Sequence, residues 1–427
     1  MTACALEAAP GDGEDARATP APAHTSFTAA ADGSYAARLT TSADTNNSYP
    51  ERWTLDGPEP YAVPLPGRQP EEPDAQVLPL ADGRVLIARP TAERHLLALL
   101  YPTGPGTGEL PLGSVESGRL TLLPPAPCGR RAYALVPAPD GRSTGVWLIA
   151  GGLAGRPERV ADVPGHCAGG AWLDRAGRLL ALDRTQGAVT KTVAVDLGAH
   201  GAVTPLLQIT EDSQDRLLLA DPDSGLLLLR SDAPGHDRLG WGVLGSHRPV
   251  RFPEVLHPQG VRLTPFAVQP RQVLLPESCA VALRVDGPNG TWLATWRPSL
   301  RRLRQFAAPD GWLTGHGMCT EDGELRLPYS TPVNPCGLAR LRVPEPEADE
   351  RPPALMRAGA TPRRAGKAEG AEETAEETEV SFSVRDVTPL QQQDSGADAG
   401  ECGNPAARPE AYKPVPLQQA PLTTRTA

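Results

Sequence analysis

The sequence has few lysines, few aromatic residues and no long apolar run. Three of its 41 basic residues are lysine (Lys191, Lys367 and Lys413) and the rest are arginine. With the abundant alanine and proline, we interpret this bias as the codon usage of a GC-rich bacterial genome. No apolar segment approaches the roughly 20 residues that cross a bilayer, so we expect no membrane span. Residues 1–22 lack the apolar core of a secretory signal, which predicts a cytoplasmic protein.

The chain also lacks a basic stripe and any pair of closely spaced cysteines. Its net charge is −10, and nucleic-acid binding needs clustered Lys and Arg, so we expect no nucleic-acid partner. None of the seven cysteines forms a CxxC pair, which excludes a zinc ribbon and a redox dithiol. Met1-Thr2-Ala3-Cys4 loosely matches a lipoprotein cleavage box. An exported lipoprotein is therefore the alternative location if the start codon lies upstream.

What the chain does have is a repeated hairpin pattern. Residues 170–183 and residues 207–221 each read as a short apolar strand, a polar turn and a second apolar strand that ends on aspartate. A two-stranded hairpin cannot bury both of its faces alone, so a chain that repeats the unit must stack the copies. Abundant glycine and proline, 43 and 48 residues, favour turns over helices.

Seven such hairpins recur, with turn centres about 48 residues apart, and four-stranded propeller blades repeat at about 40–50 residues. The turns lie at Gly33, Gly83, Gly129, Gly177, Ser213 to Asp215, Glu277 and Gly323. The repeats resemble the β-propeller superfamily without matching a named subfamily. The resemblance implies an all-β, seven-bladed β-propeller over residues 26–344.

Both flanks of the repeats have a different composition. Residues 1–25 are rich in Ala, Pro, Gly and Asp and predict a disordered N-terminal arm, and residues 345–427 predict a disordered acidic C-terminal tail. Within the tail, Val380-Ser381-Phe382-Ser383-Val384 alternates as a strand does. We expect this segment to be disordered with the rest of the tail, and the alternative is that it pairs with a sheet edge, in this molecule or in a partner.

Two motifs that suggest chemistry are better explained as turns. Gly141-Arg142-Ser143-Thr144-Gly145 fits the G-x-S-x-G pattern of serine hydrolases, which needs a following helix, whereas an apolar strand follows here. We therefore predict a hairpin tip. Asp221-x-Asp223-x-Gly225 has two carboxylates but lacks the distal glutamate of a calcium loop, which favours a tight turn. Propellers of the prolyl-oligopeptidase type carry a hydrolase domain, for which this chain leaves no room.

Three histidines that precede predicted inner strands are the candidate residues for a metal or acid–base site. His166, His257 and His316 each precede a predicted blade, and glycines flank His166 and His316. Because loops that enter inner strands converge on one mouth of a propeller channel, these side chains could meet there as metal ligands or acid–base groups. The alternative is that each only hydrogen-bonds within its own loop.

The sequence leaves two function classes open, and fold does not choose between them. The first is a non-catalytic interaction module that binds a protein partner through its loop-lined face. The second is a metal-dependent lyase or hydrolase, or a small-ligand binder, at the channel mouth, resembling propeller lyases and lactonases. We expect no cofactor, and whether the protein is an enzyme stays open, as does its oligomeric state.

Overall fold

A computed structural model describes residues 27–42, 46–273 and 275–344. The predicted N-terminal arm (1–25) and acidic tail (345–427) lie outside the described residues and stay predictions. Secondary structure in these ranges is almost entirely β, with two 3-10 helices of three residues, Glu254–Leu256 and Pro276–Ser278. Neither of these helices has the length to span a membrane.

The strands form seven antiparallel sheets, and each sheet uses strands that are consecutive in the chain. Blades 1 to 4 consist of β1 (Thr28–Ala29), β2 (Tyr35–Thr41), β3 (Ser48–Thr54) and β4 (Tyr61–Pro64); β5 (Gln76–Pro79), β6 (Val85–Pro90), β7 (His95–Pro102) and β8 (Thr107–Val115); β9 (Thr121–Leu122), β10 (Ala132–Pro137), β11 (Ser143–Ala150) and β12 (Glu158–Pro164); and β13 (His166–Trp172), β14 (Leu179–Gln186), β15 (Val189–Asp196) and β16 (Ala202–Leu207).

Blades 5 to 7 consist of β17 (Asp215–Ala220), β18 (Leu226–Ser231) and β19 (Arg238–Val243); β20 (Arg262–Val268), β21 (Val281–Gly287), β22 (Gly290–Trp296) and β23 (Arg304–Phe306); and β24 (Met318–Cys319), β25 (Glu324–Tyr329) and β26 (Gly337–Arg342). The predicted seven-bladed β-propeller is confirmed. First strands of successive blades contact one another, as β13 does β17 and β17 does β20, which makes them the innermost strands.

The core lies between the blades, with one apolar cluster at each of the seven junctions. The run Leu226–Leu229 shows why. Leu226 and Leu228 pack toward blade 6, whereas Leu227 and Leu229 pack toward blade 4, and all four are at most 1% exposed. Because strand side chains alternate between faces, a strand that is apolar at every position needs a neighbouring sheet on both sides.

The ring closes between blades 7 and 1 by side-chain packing. In the described chain, blade 1 is built only from N-terminal strands and blade 7 only from C-terminal strands, so no shared sheet joins the two ends. Phe27 and Trp53 meet edge to face at 5.2 Å and pack with Met318 and Leu313 of the blade 7 side. Such aromatic pairs contribute about 0.5–1.5 kcal/mol beyond their buried area.

Each blade presents loops at two ends, because its strands are antiparallel. We call the upper face the end where the chain enters the first strand and where the second strand turns into the third. The lower face is the end where the first strand turns into the second. In blade 4 the upper face carries Gly165 and the turn at Gly187, and the lower face carries residues 173–178.

Candidate functional site

A groove of about 410 Å³ opens on the upper face at the junction of blades 4 and 5. We call it the upper groove. Its walls come from the β14–β15 hairpin and from the segment that leads into β17. The lining residues are Arg184, Gln186, Val189, Lys191, Gln208, Ile209, Thr210 and Glu211. A volume of this size lies at the small end of the range, about 300–1,000 Å³, that small-ligand sites occupy.

The hairpin that forms one wall is fixed by its turn. Gln186 pairs with Val189, and Gly187 between them has a φ of 62°, which glycine adopts without steric cost. This tight turn places Arg184 directly opposite Lys191 on the two strands. Two cations are thereby held side by side at one edge of the groove.

Lys191, the one lysine in the described part of the chain, is fully occupied with structural contacts. Its Nζ lies 2.7 Å from Asp215 Oδ2 and 3.0 Å from Ser213 Oγ, and it also donates to the Thr210 carbonyl. An ammonium has three donors, so these contacts use all of them. The charge of Lys191 is therefore neutralised by contacts that hold blade 4 to blade 5.

Asp215 is the partner that makes this arrangement possible. Its side chain is fully buried and accepts hydrogen bonds from the Ile209 amide at 2.9 Å and from the Ser231 hydroxyl at 2.6 Å, besides those from Ser213 and Lys191. A buried carboxylate is tolerated only when it is paired and hydrogen-bonded. Lys191, Ser213, Asp215 and Ser231 together form what we call the blade 4–5 network.

Asp183 adds a second carboxyl to the same junction. Its Oδ1 accepts hydrogen bonds from the Thr192 hydroxyl at 2.8 Å and from the Leu217 amide of blade 5 at 3.0 Å. Burial raises the pKa of this carboxyl, and the two hydrogen bonds lower it in part. Beside it, the innermost strand carries a bulge at Gly169 and Gly170, both with positive φ, and a Cβ on Gly169 would lie 3.4 Å from Asp183 Oδ2.

Arg184 and Glu211 are the charged residues of the upper groove that lack a hydrogen-bonded partner in the described part of the chain. Within the described ranges, neither side chain makes an ion pair or a hydrogen bond, and Arg184 is half-buried while Glu211 is exposed. Since Asp215 neutralises Lys191, the groove presents one available guanidinium and one available carboxylate. A guanidinium and a carboxylate placed in this way can bind an anionic group and a cationic group of one small ligand.

A different arrangement of charges spans the lower face. Arg175 of blade 4 donates two hydrogen bonds to Asp223 of blade 5, whose carboxylate also accepts the Arg271 amide at 2.6 Å. Arg271 in turn lies 3.4 Å from Glu321 of blade 7. We call these four residues the lower-face chain. The hydrogen bonds from Arg175 lower the pKa of Asp223, and burial raises it in part.

The predicted histidine cluster is separated in the structure. His166 is exposed at the start of β13, opposite Thr185. His257 packs among Arg238, Glu254 and Leu239, and burial lowers its pKa. Its Nε2 is buried without a hydrogen-bond partner in the described residues.

The third histidine, His316, has different neighbours again. The backbone carbonyl of His316 accepts a hydrogen bond from Trp312 at 2.8 Å, and its ring lies 5.8 Å from that of Phe27. Over the described ranges, no group of three or more His, Cys, Asp or Glu residues is placed to hold a metal ion. The structure therefore does not bring His166, His257 and His316 together.

The two motifs interpreted as turns have that conformation. Gly141, at φ 67°, lies in the turn between β10 and β11, and β11 begins at Ser143, so the G-x-S-x-G pattern forms a hairpin tip. Asp221 accepts hydrogen bonds from the amide and the hydroxyl of Ser224 within its own turn. Sequence reasoning missed the upper groove, although the scarcity of lysine was a signal that could have singled out Lys191.

Comparison with known proteins finds the fold and no family. No family model matches the chain, and no curated protein matches it. A puromycin-hydrolysing peptidase of Mycobacterium tuberculosis is similar at 16% identity and a TM-score of 0.44, covering 76% of this chain and 53% of its own. A prolyl endopeptidase is similar at 14% identity and a TM-score of 0.48, covering 74% and 46%. The chain thus spans about half the length of these two peptidases.

A third similar structure is itself a propeller. The β-propeller domain of the Trilobed protease from Pyrococcus furiosus matches at 12% identity and a TM-score of 0.46, covering 72% of this chain and 92% of the domain. At such identities the likeness shows the fold alone. No particular family can be assigned within the β-propellers.

These neighbours correct the predicted function. We predicted a non-catalytic module that binds a protein partner through its loop-lined face, with a metal-dependent lyase or hydrolase, or a small-ligand binder, at the channel mouth as the alternative. That prediction is wrong, since the similar solved chains include several peptidases, in which the propeller accompanies a hydrolase domain. The physical reason for the error is that repeats and loops define a scaffold, and the scaffold is shared by both classes.

Proposed function

We propose that the propeller is a peptide-handling domain and that the upper groove binds a short peptide by its charged ends. The observation that carries this proposal is the half-buried Arg184, which has no ion-pair partner in the described chain and lies opposite the fully satisfied Lys191. A guanidinium forms strong, bidentate hydrogen bonds to a carboxylate. Arg184 therefore binds the C-terminal carboxylate of the peptide.

The remaining lining supports a peptide better than a simple anion. Gln186 and Gln208 offer amide groups that both donate and accept, as a peptide backbone requires. Val189 and Ile209 supply apolar contact for small side chains. Glu211, exposed and without a partner in the described residues, binds the N-terminal ammonium.

In this proposal the groove is the substrate-binding part of a peptidase, and not its catalytic centre. Among the described residues its lining includes no histidine, serine or cysteine, and the hydroxyl it has belongs to Thr210. Nucleophilic catalysis needs a nucleophile with a base within hydrogen-bond reach. In this proposal the propeller holds the substrate, and bond cleavage belongs to a separate hydrolase unit.

Calorimetric titration of the full chain with trialanine tests the proposal. We expect saturable binding to the wild-type protein and a loss of roughly 10- to 100-fold in affinity for Arg184→Gln, because a hydrogen bond to a charged group contributes about 1.5–3 kcal/mol. Glu211→Gln should weaken binding less, since its carboxylate is exposed. Arg156→Gln, an exposed arginine on the outer loop of blade 3, is the matched control and should bind as the wild type does.

Blocked peptides provide the second arm of the test. N-acetyl-trialanine amide has the same backbone without charged ends, so its affinity should be low and equal for wild type and Arg184→Gln. Equal binding of free and blocked trialanine by the wild type would contradict the proposal. So would an affinity for trialanine that Arg184→Gln leaves unchanged.

A further inference from the structure

Among the described residues, blade 7 ends with a sheet edge that no strand pairs with. Five blades have four strands, whereas blades 5 and 7 have three in the described chain. In blade 5 the outer edge is partly paired, because Trp241 and Arg251 exchange two backbone hydrogen bonds of 2.9 Å. No described residue pairs with the outer edge of β26 (Gly337–Arg342).

The hydrogen-bond pattern identifies the groups that this edge exposes. The Pro328 carbonyl accepts a hydrogen bond from the Leu313 amide, and the Ser330 amide donates one to the Gly311 carbonyl. The backbone amides and carbonyls of the even-numbered residues of β25 therefore point toward the inner side of the blade. Odd-numbered residues of β25 consequently bond to β26, where they pair with odd-numbered partners. The amides and carbonyls of Leu338, Arg340 and Arg342 therefore point outward.

The side chains of the same strand leave an apolar strip beside this edge. Ala339 and Leu341 are only partly buried against the core between blades 6 and 7, as are Phe306 and Ala308 at the outer end of blade 6. An exposed edge of this kind pairs readily with another strand.

The chain outside the described residues contains a segment with the required pattern. Val380-Ser381-Phe382-Ser383-Val384 has apolar residues at every second position. We propose that this segment adds to β26 as the fourth, antiparallel strand of blade 7, with Val380, Phe382 and Val384 facing the core between blades 6 and 7.

Side-chain size and charge favour one register of this pairing. With Phe382 opposite the small Ala339, Val380 lies opposite Leu341 and Glu379 lies opposite Arg342. Arg342 is exposed and oppositely charged residues stabilise a cross-strand pair. A shift by one residue would turn the apolar face outward, so the side-chain period excludes it.

The intervening chain allows this geometry. Residues 343–379 join the end of β26 to the start of the segment, and the entropy of closing a flexible loop grows only slowly with its length. Six glutamates precede the segment, at positions 369, 372, 373, 376, 377 and 379. Arg340 and Arg342 are exposed beside its approach, which attracts an acidic chain to this edge.

Amide hydrogen exchange of the full chain, compared with a chain truncated after residue 344, tests the proposal. The amides of Leu338, Arg340 and Arg342 should exchange at least about tenfold more slowly in the full chain, because exchange of a paired amide requires local opening. Amides of β19 are the internal control and should not change. Equal exchange at these three amides in both chains would overturn the proposal and would leave the edge to a strand from a partner.

Point variants separate the pairing from a general effect of the tail. Phe382→Asp should remove the protection as fully as truncation does, whereas Leu390→Asp, just beyond the segment, should retain it. Glu379→Arg and Arg342→Glu should each reduce protection, and the double variant should restore it. Failure of the double variant to restore protection would reject the register, and full protection in Phe382→Asp would reject the strand itself.

Discussion

The blade 4–5 network and the lower-face chain both pair basic side chains with carboxylates, but in different surroundings. In the network, Lys191 and Asp215 are 12% and 0% exposed at their side chains, and neutral hydroxyls and an amide complete the contacts. In the lower-face chain, Asp223 is 7% exposed at its side chain, but Arg175 is 54% exposed, and Arg271 and Glu321 are 62% and 63% exposed. The first set lies inside a junction and the second lies across a surface.

The difference shows that burial, more than the number of ion pairs, sets what a charge contributes. Removing one member of a buried pair leaves the other uncompensated in a poorly solvating place. An exposed pair is screened by water and salt and contributes about 0–1 kcal/mol. The network also satisfies Lys191 completely, which leaves Arg184 as the available cation of the upper groove.

Asp215→Ala should have the largest effect of the changes that probe this contrast. The substitution leaves the Lys191 ammonium buried without its partner and frees the Ile209 amide, so we expect a loss of about 3–5 kcal/mol in the free energy of unfolding. Chemical denaturation measures it. Asp212→Ala, an exposed residue of the same loop, should change little. A loss below about 1 kcal/mol for Asp215→Ala would remove the contrast between the two sets.

Asp183→Asn should have an intermediate effect that depends on pH. Because burial raises the folded pKa of Asp183, the protonated carboxyl is the form that folding favours, and its contribution is complete below the ordinary pKa near 3.8. It is lost as pH rises through the raised value. The wild-type protein should therefore lose stability relative to Asp183→Asn as the pH rises above the ordinary pKa near 3.8.

Asp223→Asn should change the pH dependence of stability in the opposite direction to Asp183→Asn. Arg175 lowers the folded pKa of Asp223, so its contribution is present above the ordinary pKa and is lost as pH falls through the lowered value. Denaturation curves of both variants across the acid range should thus differ from wild type in opposite directions. Matching slopes for the two variants would contradict the assigned pKa directions.

Arg175→Gln should have the smallest effect. Its ion pair to Asp223 is half exposed on the arginine side, so a loss of roughly 0.2–1 kcal/mol is expected at low ionic strength. The loss should disappear in about 1 M sodium chloride, where the Debye length is about 3 Å. Arg142→Gln, at an exposed hairpin tip, is the control. A loss that persists in high salt would mean that the lower-face chain acts as a buried network does.

Sequence patterns predicted the blades well because blades depend on local signals. Turn residues such as Gly33, Gly83 and Gly177 adopt positive φ in the structure, and they mark the hairpins that repeat. The apolar run Leu226–Leu229 predicted a strand between two neighbours. The run Leu217–Leu219 also predicted a strand buried on both faces, but Leu218 is only half-buried, because it lies on the innermost strand beside the channel.

The site was beyond sequence reasoning for a physical reason. Arg184 and Glu211 meet at a junction between blades, and their proximity depends on how two sheets pack, which no period in the sequence records. The histidines illustrate the converse. His316 lies in a loop as predicted, whereas His166 is the first residue of β13, and the three rings lie among different neighbours.

A crystal structure of the full chain with bound trialanine tests the central claim most directly. The proposed function requires the peptide to lie in the upper groove, with its C-terminal carboxylate within about 3 Å of the Arg184 guanidinium and its ammonium near Glu211. Trialanine in the central channel or on the lower face, with Arg184 still without a ligand, would contradict it.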